Sequence, residues 1–184
     1  MRTKKIIKTL KSSKGKNITF RYVTRDDLDA MLTYINALIA EDTFIGMCGE
    51  PLTMEEEREF LEGALKDIEK GDKLHIVVEE GDRFVGEAEV RRDRLRRKKH
   101  VGSVAISLLS SHRREGIGTE LLSTLIEEGR RMDLLILELT CFENNPTALH
   151  VYEKMGFKRI GVTPRAIMYK GSYVGEVHLY LSLV

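Results

Sequence analysis

The stretch Arg113-Arg114-Glu115-Gly116-Ile117-Gly118-Thr119 decides how this chain is read. It follows a strand-like run, Val101 to Leu109, and opens a helical pattern of Leu121, Leu122, Leu125 and Ile126. Glycine lets the backbone approach a ligand closely and adopt conformations that a side chain forbids. The first turn of a helix offers unpaired N–H groups at the positive end of its dipole. A glycine-spaced turn between a strand and a helix start is therefore a place to hold a phosphate. Arg113 and Arg114 add charge and planar donors suited to phosphate oxygens. On spacing alone, a plain tight turn explains the two glycines equally well.

A second stretch shifts that balance. Leu137 to Cys141 reads as a strand, and Phe142-Glu143-Asn144-Asn145-Pro146-Thr147-Ala148-Leu149-His150-Val151-Tyr152-Glu153-Lys154-Met155-Gly156-Phe157 follows it. Asn145 is a good N-cap and Pro146 suits the first helical position. Gly156 fits the helix stop. The short helix between them carries Ala148 and Tyr152 on one face, four residues apart. Taken by itself, Tyr152 reads as a core aromatic with its hydroxyl satisfied.

Together the two stretches resemble the GNAT superfamily of acetyl-CoA-dependent N-acetyltransferases. That family's acyl-CoA signature, Arg/Gln-x-x-Gly-x-Gly/Ala, is matched by Arg113, Gly116 and Gly118. Its second signature, Asn-x-x-Ala-x-x-x-Tyr-x-x-x-Gly-Phe, is matched by Asn145, Ala148, Tyr152, Gly156 and Phe157. The resemblance covers roughly residues 18 to 182, strongest from Val101 to Gly161 and weak before Leu74. It implies an α/β GNAT acyltransferase fold, a mixed twisted sheet flanked by helices on both faces, as one domain over residues 1 to 184.

Length and composition agree with a single α/β domain. The chain has 184 residues, ordinary apolar content and high but balanced charge, net +1. That balance argues against a dedicated nucleic-acid or membrane binder. No run approaches a transmembrane length, and the Lys-rich start lacks a following apolar signal core. A cytoplasmic location is the default expectation. Cys48 and Cys141 lie far apart in sequence, and reduced thiols suit such a protein better than a disulfide. The five histidines show no metal-ligand spacing, so no metal is expected.

Along the chain, the Lys-rich residues 1 to 16 read either as an extra hairpin strand or as a flexible basic tail. Ile18 to Val23 alternates like a strand. Thr24-Arg25-Asp26-Asp27 resembles a capping box with Asp in place of Glu or Gln. It precedes an apolar stripe of Leu28, Met31, Leu32, Ile35, Leu38 and Ile39. Thr53-Met54-Glu55-Glu56 caps a second helix with the stripe Phe60, Leu61, Ala64, Leu65 and Ile68, ended by Gly71. Leu74 to Val78 and Arg83 to Val90 flank Gly81-Asp82 as a hairpin. The basic connection Arg91 to His100 reads first as a solvated turn. Lys158 to Val162 and Gly175 to Leu181 read as two final strands.

The resemblance also implies site roles. The main chain of Ile106, Ser107 and Leu108 meets the pantetheine arm, with an N–H near Leu108 as oxyanion donor. The pyrophosphate sits over Arg113, Arg114, Glu115, Gly116, Ile117, Gly118 and Thr119. Asn145 bonds the pantetheine, and Tyr152 faces the CoA sulfur as general acid, for which a phenol protonated at neutral pH is suited. Many relatives place a basic Glu on the strand before the turn, where this chain has Ser103. Glu87 and Glu89 share one face of the preceding hairpin strand, and Glu87 is the candidate base; a reaction with no dedicated base is the alternative.

The expected activity is acetyl transfer from acetyl-CoA to a primary amine by direct attack in a ternary complex. The acceptor is a small molecule or a peptide amine, and the assembly is a monomer or a homodimer. A non-catalytic acyl-CoA-binding regulatory module is the rival, against which Tyr152 speaks. Near the end, Gly175 stands where relatives acting on small molecules commonly have Asp.

Overall fold

The structure, a computed structural model, describes residues 5–184. Residues 1–4, part of the N-terminal segment read above, lie outside the described residues. The turn Ser12-Ser13-Lys14-Gly15-Lys16 joins strand β1 (Ile6–Lys11) to β2 (Asn17–Tyr22), and the two pair antiparallel. Gly15 takes φ 82°, a left-handed conformation that glycine adopts without steric cost.

Two capped helices follow. Asp27 Oδ2 accepts from Thr24 N at 2.7 Å and from Thr24 Oγ1 at 3.0 Å. A short 3₁₀ turn, Arg25–Asp27, then leads into helix α1 (Leu28–Ala40). Thr53 and Glu56 cap α2 (Met54–Glu69) reciprocally, through Glu56 N to Thr53 Oγ1 at 3.3 Å and Thr53 N to Glu56 Oε2 at 2.8 Å. Such a cap contributes about 1 kcal/mol. Met31, Ile35, Leu38 and Ile39 of α1 are buried, as are Leu61 and Ala64 of α2. Phe60, read as part of that stripe, is 46% exposed and lies over Lys73 and His75 at a cleft rim instead.

The remaining elements are β3 (Lys73–Glu80), β4 (Arg83–Arg92), β5 (Val101–Leu108), α3 (Ile117–Arg131), β6 (Ile136–Phe142), α4 (Pro146–Lys154), β7 (Lys158–Tyr169) and β8 (Ser172–Ser182). Among the described residues they complete one eight-stranded sheet, ordered β1-β2-β3-β4-β5-β6-β8-β7, in which only β5 and β6 run parallel. Helices cover both faces. Adjacent residues of a strand point to opposite sides, and Ser107 of β5 accepts from Tyr34 Oη of α1 at 2.8 Å. Its neighbour Leu108 lies against Gly118 of α3. The fold is the mixed α/β architecture that the sequence resemblance implies.

Strands β7 and β8 are longer than the sequence suggests. Pro164 interrupts the alternation of β7, and the pairing shifts register between Thr163 and Ile167, with Arg165 at φ 58°. A bulge on an edge strand tolerates proline, which has no N–H to donate. Pairing resumes beyond it and closes in a tight turn, with Lys170 at φ 49° and Gly171 at φ 76°. The basic connection Arg91 to His100 forms a short 3₁₀ turn, Arg96–Lys98. Around it Arg92 and Lys99 pair with Asp72, Arg94 with Asp67, and Lys98 with Asp93.

The feature that positions the site is a gap in the sheet. Strand β5 is paired with β4 from Gly102 to Leu108. It meets β6 only through Val101 with Ile136, Gly102 with Leu137 and Ser103 with Glu138. Past Ser103 the two parallel strands diverge, while β6 stays paired with β8 along its length.

Candidate active site

The divergence of β5 and β6 opens a cleft of ≈ 920 Å³. Val104, Ala105, Ile106 and Ser107 line one wall, and Thr140, Cys141 and Phe142 line the other. Asn145, Ala148 and Tyr152 of the α4 segment also line it, as do Glu87 and Glu89 from β4. The segment Asp42–Cys48 and the β7–β8 turn close the remaining side. There Phe44 stacks on Tyr169 at 5.0 Å between ring centres, and Phe142 meets both rings edge-on.

The β5 wall presents backbone. Leu109 N–H bonds Val85 C=O on the β4 side. Main-chain groups alternate sides along a strand, so Ser107 also addresses β4, whereas Ile106 and Leu108 address the opening. The Leu108 carbonyl accepts from Arg113 Nε at 2.8 Å. The Leu108 side chain is turned to the α3 face and does not line the cleft.

The turn after β5 carries a run of unpaired donors. Arg114 and Gly116 both take left-handed φ, 59° and 80°, and Gly116 caps α3. The first bond into the helix is Glu120 N to Gly116 C=O. Among the described residues, no main-chain N–H from Arg114 to Thr119 has a hydrogen-bond acceptor. A positive φ explains glycine at 116 but not at 118, where an added Cβ would meet only Leu108 Cδ1, at 3.8 Å. Arg113 is engaged within the protein: its Nη2 donates to Glu41 Oε2 at 2.6 Å and its Nε to Leu108 C=O. Arg114 is exposed and has no ion pair among the described residues. Glu115 is buried and points away from the cleft, toward Ser12 and Lys16.

On the opposite wall, Asn145 Oδ1 accepts from Ala148 N at 3.2 Å and caps α4, leaving its amide NH₂ without a partner among the described residues. The Tyr152 hydroxyl makes no hydrogen bond among the described residues, and its ring packs beside Phe157. Burial pushes the Tyr152 phenol well above its ordinary range, and the nearby Cys141 adds to this. Burial likewise pushes the Cys141 thiol up, to about 11. Both cysteines are free thiols.

The two β4 carboxylates have different partners. Glu87 Oε2 lies 3.0 Å from His75 Nε2, and Glu89 pairs with Lys73. Two buried residues here were not singled out from the sequence. His75 is 1% exposed and its Nδ1 has no partner. Glu57 is 4% exposed, and burial pushes its carboxyl up to about 7, with the Glu87 charge adding and His75 opposing. The helical phase of α2 held a signal for Glu57, since positions 57, 61, 64 and 68 share the inward face. Ser103 lies outside this cleft, beside Arg91 and Glu138. Gly175 is explained by packing. A Cβ there would fall 2.4 Å from Glu143 Oε2, which accepts from Gly175 N at 3.2 Å. Among the described residues no group of three or more His, Cys, Asp or Glu could hold a metal, and no helix is long and apolar enough to cross a membrane.

The same architecture recurs in known proteins. An acetyltransferase of the GNAT family from Streptococcus pneumoniae superposes with a TM-score of 0.80 at 23% identity, over 90% of this chain and 98% of that one. The putative acetyltransferase yncA from Salmonella typhimurium, solved with its cofactor acetyl-CoA, gives 0.79 at 18% identity over 91% and 94%. A ribosomal-protein-alanine N-acetyltransferase from Brucella melitensis gives 0.78 at 22% identity over 89% and 98%. At these identities the likeness carries the fold. The model of the acetyltransferase (GNAT) family matches residues 32–157, well over half of the sequence. On that match, the chain belongs to the GNAT family of acetyltransferases.

Proposed function

We propose that this protein transfers an acetyl group from acetyl-CoA to a primary amine by direct attack within a ternary complex. The observation that carries the reading is the run of unpaired N–H groups from Arg114 to Thr119, in the turn that follows β5, whose residues Val104–Ser107 line the cleft together with Tyr152. Six unpaired donors at and just before a helix N-terminus suit a pyrophosphate. The ordinary backbone and open surroundings of Gly118 support it, because close approach from outside is what an absent side chain provides there. Arg113 acts by holding the turn to Glu41 and β5, and Arg114 supplies the free guanidinium.

The pantetheine arm runs along the open edge of β5, bonding the main chain of Ile106 and Leu108 and the free amide of Asn145. An N–H near Leu108 polarises the thioester carbonyl, pre-oriented by the strand. The amine attacks that carbonyl and loses its proton to Glu87. The carbon–sulfur bond breaks, and Tyr152 hands its proton to the departing thiolate. A phenol raised by burial is protonated at neutral pH, as this role needs. A Cys141 thiol pushed up to about 11 is a poor nucleophile, which favours direct attack over an acetyl-cysteine intermediate.

The acceptor is a small-molecule or peptide amine, and the protein works in the cytoplasm. The Glu143 carboxylate beside Gly175 supplies a negative charge close to the position where relatives acting on small molecules carry Asp. Thiol release on mixing the protein with acetyl-CoA and a panel of primary amines tests the reading. Amine-dependent release is expected. Tight CoA binding with no release across the panel would favour a non-catalytic acyl-CoA-binding module.

A further inference from the structure

The turn between β1 and β2 lies before the residues matched by the family model, yet it is built into the phosphate-binding turn. Ser13 N donates to the Glu115 carbonyl at 3.0 Å. Ser12 Oγ donates to Glu115 Oε2 at 2.8 Å, and Lys16 Nζ donates to Glu115 Oε1 at 2.9 Å and to Ser111 C=O at 2.8 Å. Lys14 Nζ stands 3.2 Å from Glu115 Oε1. Ser12 Oγ in turn accepts from the main-chain N–H groups of Lys14 and Lys16, both at 3.3 Å. Farther along, Lys8 pairs with Glu120 in the first turn of α3.

These contacts meet a physical difficulty of the site. Glu115 sits between two residues held in left-handed φ, in a turn whose N–H groups must stay aligned without internal partners. A buried carboxylate beside an anion site also repels the anion, and in a partly desolvated setting that repulsion is screened weakly. Lys16, the strongest influence, holds the Glu115 carboxyl down at about 2, so it is ionised at any working pH. Its charge must therefore be cancelled locally, and Lys14 and Lys16 do so from the side facing away from the cleft.

We infer that the β1–β2 turn is a working part of the phosphate site. Ser12, Lys14 and Lys16 are positioning residues that hold the Arg114–Thr119 turn through Glu115 and cancel the charge Glu115 would turn on a bound pyrophosphate. This inference rests on the reading of that turn as the CoA site.

Lys16→Met tests it, because the Lys16 side chain is part-exposed and the substitution keeps its apolar stem. Titration of wild type and variant with CoA and with S-acetylpantetheine, which lacks the pyrophosphate, separates phosphate binding from general damage. The variant is expected to bind CoA about tenfold more weakly, as loss of a charge-assisted bond implies, and to bind S-acetylpantetheine within about twofold of wild type. Adding Glu115→Gln to Lys16→Met is expected to recover most of the lost CoA affinity, because the uncovered charge is then gone. Unchanged CoA affinity in Lys16→Met, equal loss for both ligands, or no recovery in the double variant would overturn the inference. A wild type that binds no CoA would instead overturn the reading of the site itself.

Discussion

The two ends of the cleft are made of different material. The end near α3 is backbone: a row of free N–H groups, the open edge of β5 and a helix cap, all drawn from residues 101–157. The other end is side chains. His75 comes from β3 and Glu87 from β4, with the buried Glu57 of α2 acting on both by charge, and the aromatic group of Phe44, Phe142 and Tyr169 comes from three further segments. Backbone recognition is indifferent to most side chains but demands glycines, caps and a particular strand-to-helix turn. Side-chain recognition can be altered one residue at a time without disturbing the sheet. Under the proposed function, the first end holds the acyl carrier and is fixed, and the second chooses the acceptor and is variable.

The sharpest way to probe that contrast is at Tyr152, which lines the cleft. Tyr152→Phe keeps the ring and its packing on Phe157, so the fold and CoA affinity are expected to persist. Turnover is expected to fall by roughly ten- to a thousand-fold if the hydroxyl donates to the leaving thiolate. An unchanged rate under conditions where chemistry limits turnover would remove Tyr152 from the reacting groups.

A smaller effect is expected on the acceptor side. Glu87→Gln should lower the acetylation rate by about tenfold to a hundredfold below the pKa of the acceptor amine. The deficit should shrink as pH rises and free amine becomes abundant. Glu89→Gln is the comparison, since Glu89 is paired with Lys73 rather than with His75. A small effect of Glu87→Gln that is independent of pH, or a larger loss in Glu89→Gln, would place the proton acceptor elsewhere.

The third expected effect is on stability rather than on rate. The Glu57 carboxyl titrates near 7 in the folded protein, against an ordinary 4.5 when unfolded. A raised carboxyl favours folding fully below 4.5, and that contribution is lost as pH rises through 7. Glu57→Gln should therefore match wild type in denaturant melts near pH 4.5 and exceed it near pH 8, by about 3 kcal/mol at most. Equal stability of the two at both pH values would mean that Glu57 is solvated and not coupled to the Glu87 and His75 pair.

The same contrast explains what could be read from the sequence. Gly116, Asn145, Pro146 and Gly156 carry local rules of turns and caps, so the elements around them fall where the residues indicate. Glu57 hid inside the run Glu55-Glu56-Glu57, which reads as first-turn acid for a helix, although its phase turns it inward. His75 hid in a strand buried on both faces, where alternation gives no sign of which face matters. The residues indicate a strand only as far as Val162, whereas a bulge keeps the pairing going past Pro164, a residue that would ordinarily stop it. The engagement of Arg113 by Glu41 was beyond reach, since it depends on α1 ending next to the turn.

Calorimetric titration of CoA into the wild type and Gly118→Glu tests the central claim most directly. A side chain fits at that position within the protein itself, so the fold should be retained. The added carboxylate would stand where the proposed function puts the pyrophosphate and oppose it both sterically and by charge. The account expects clear binding to the wild type and severe weakening in the variant; equal affinity in both proteins would contradict it.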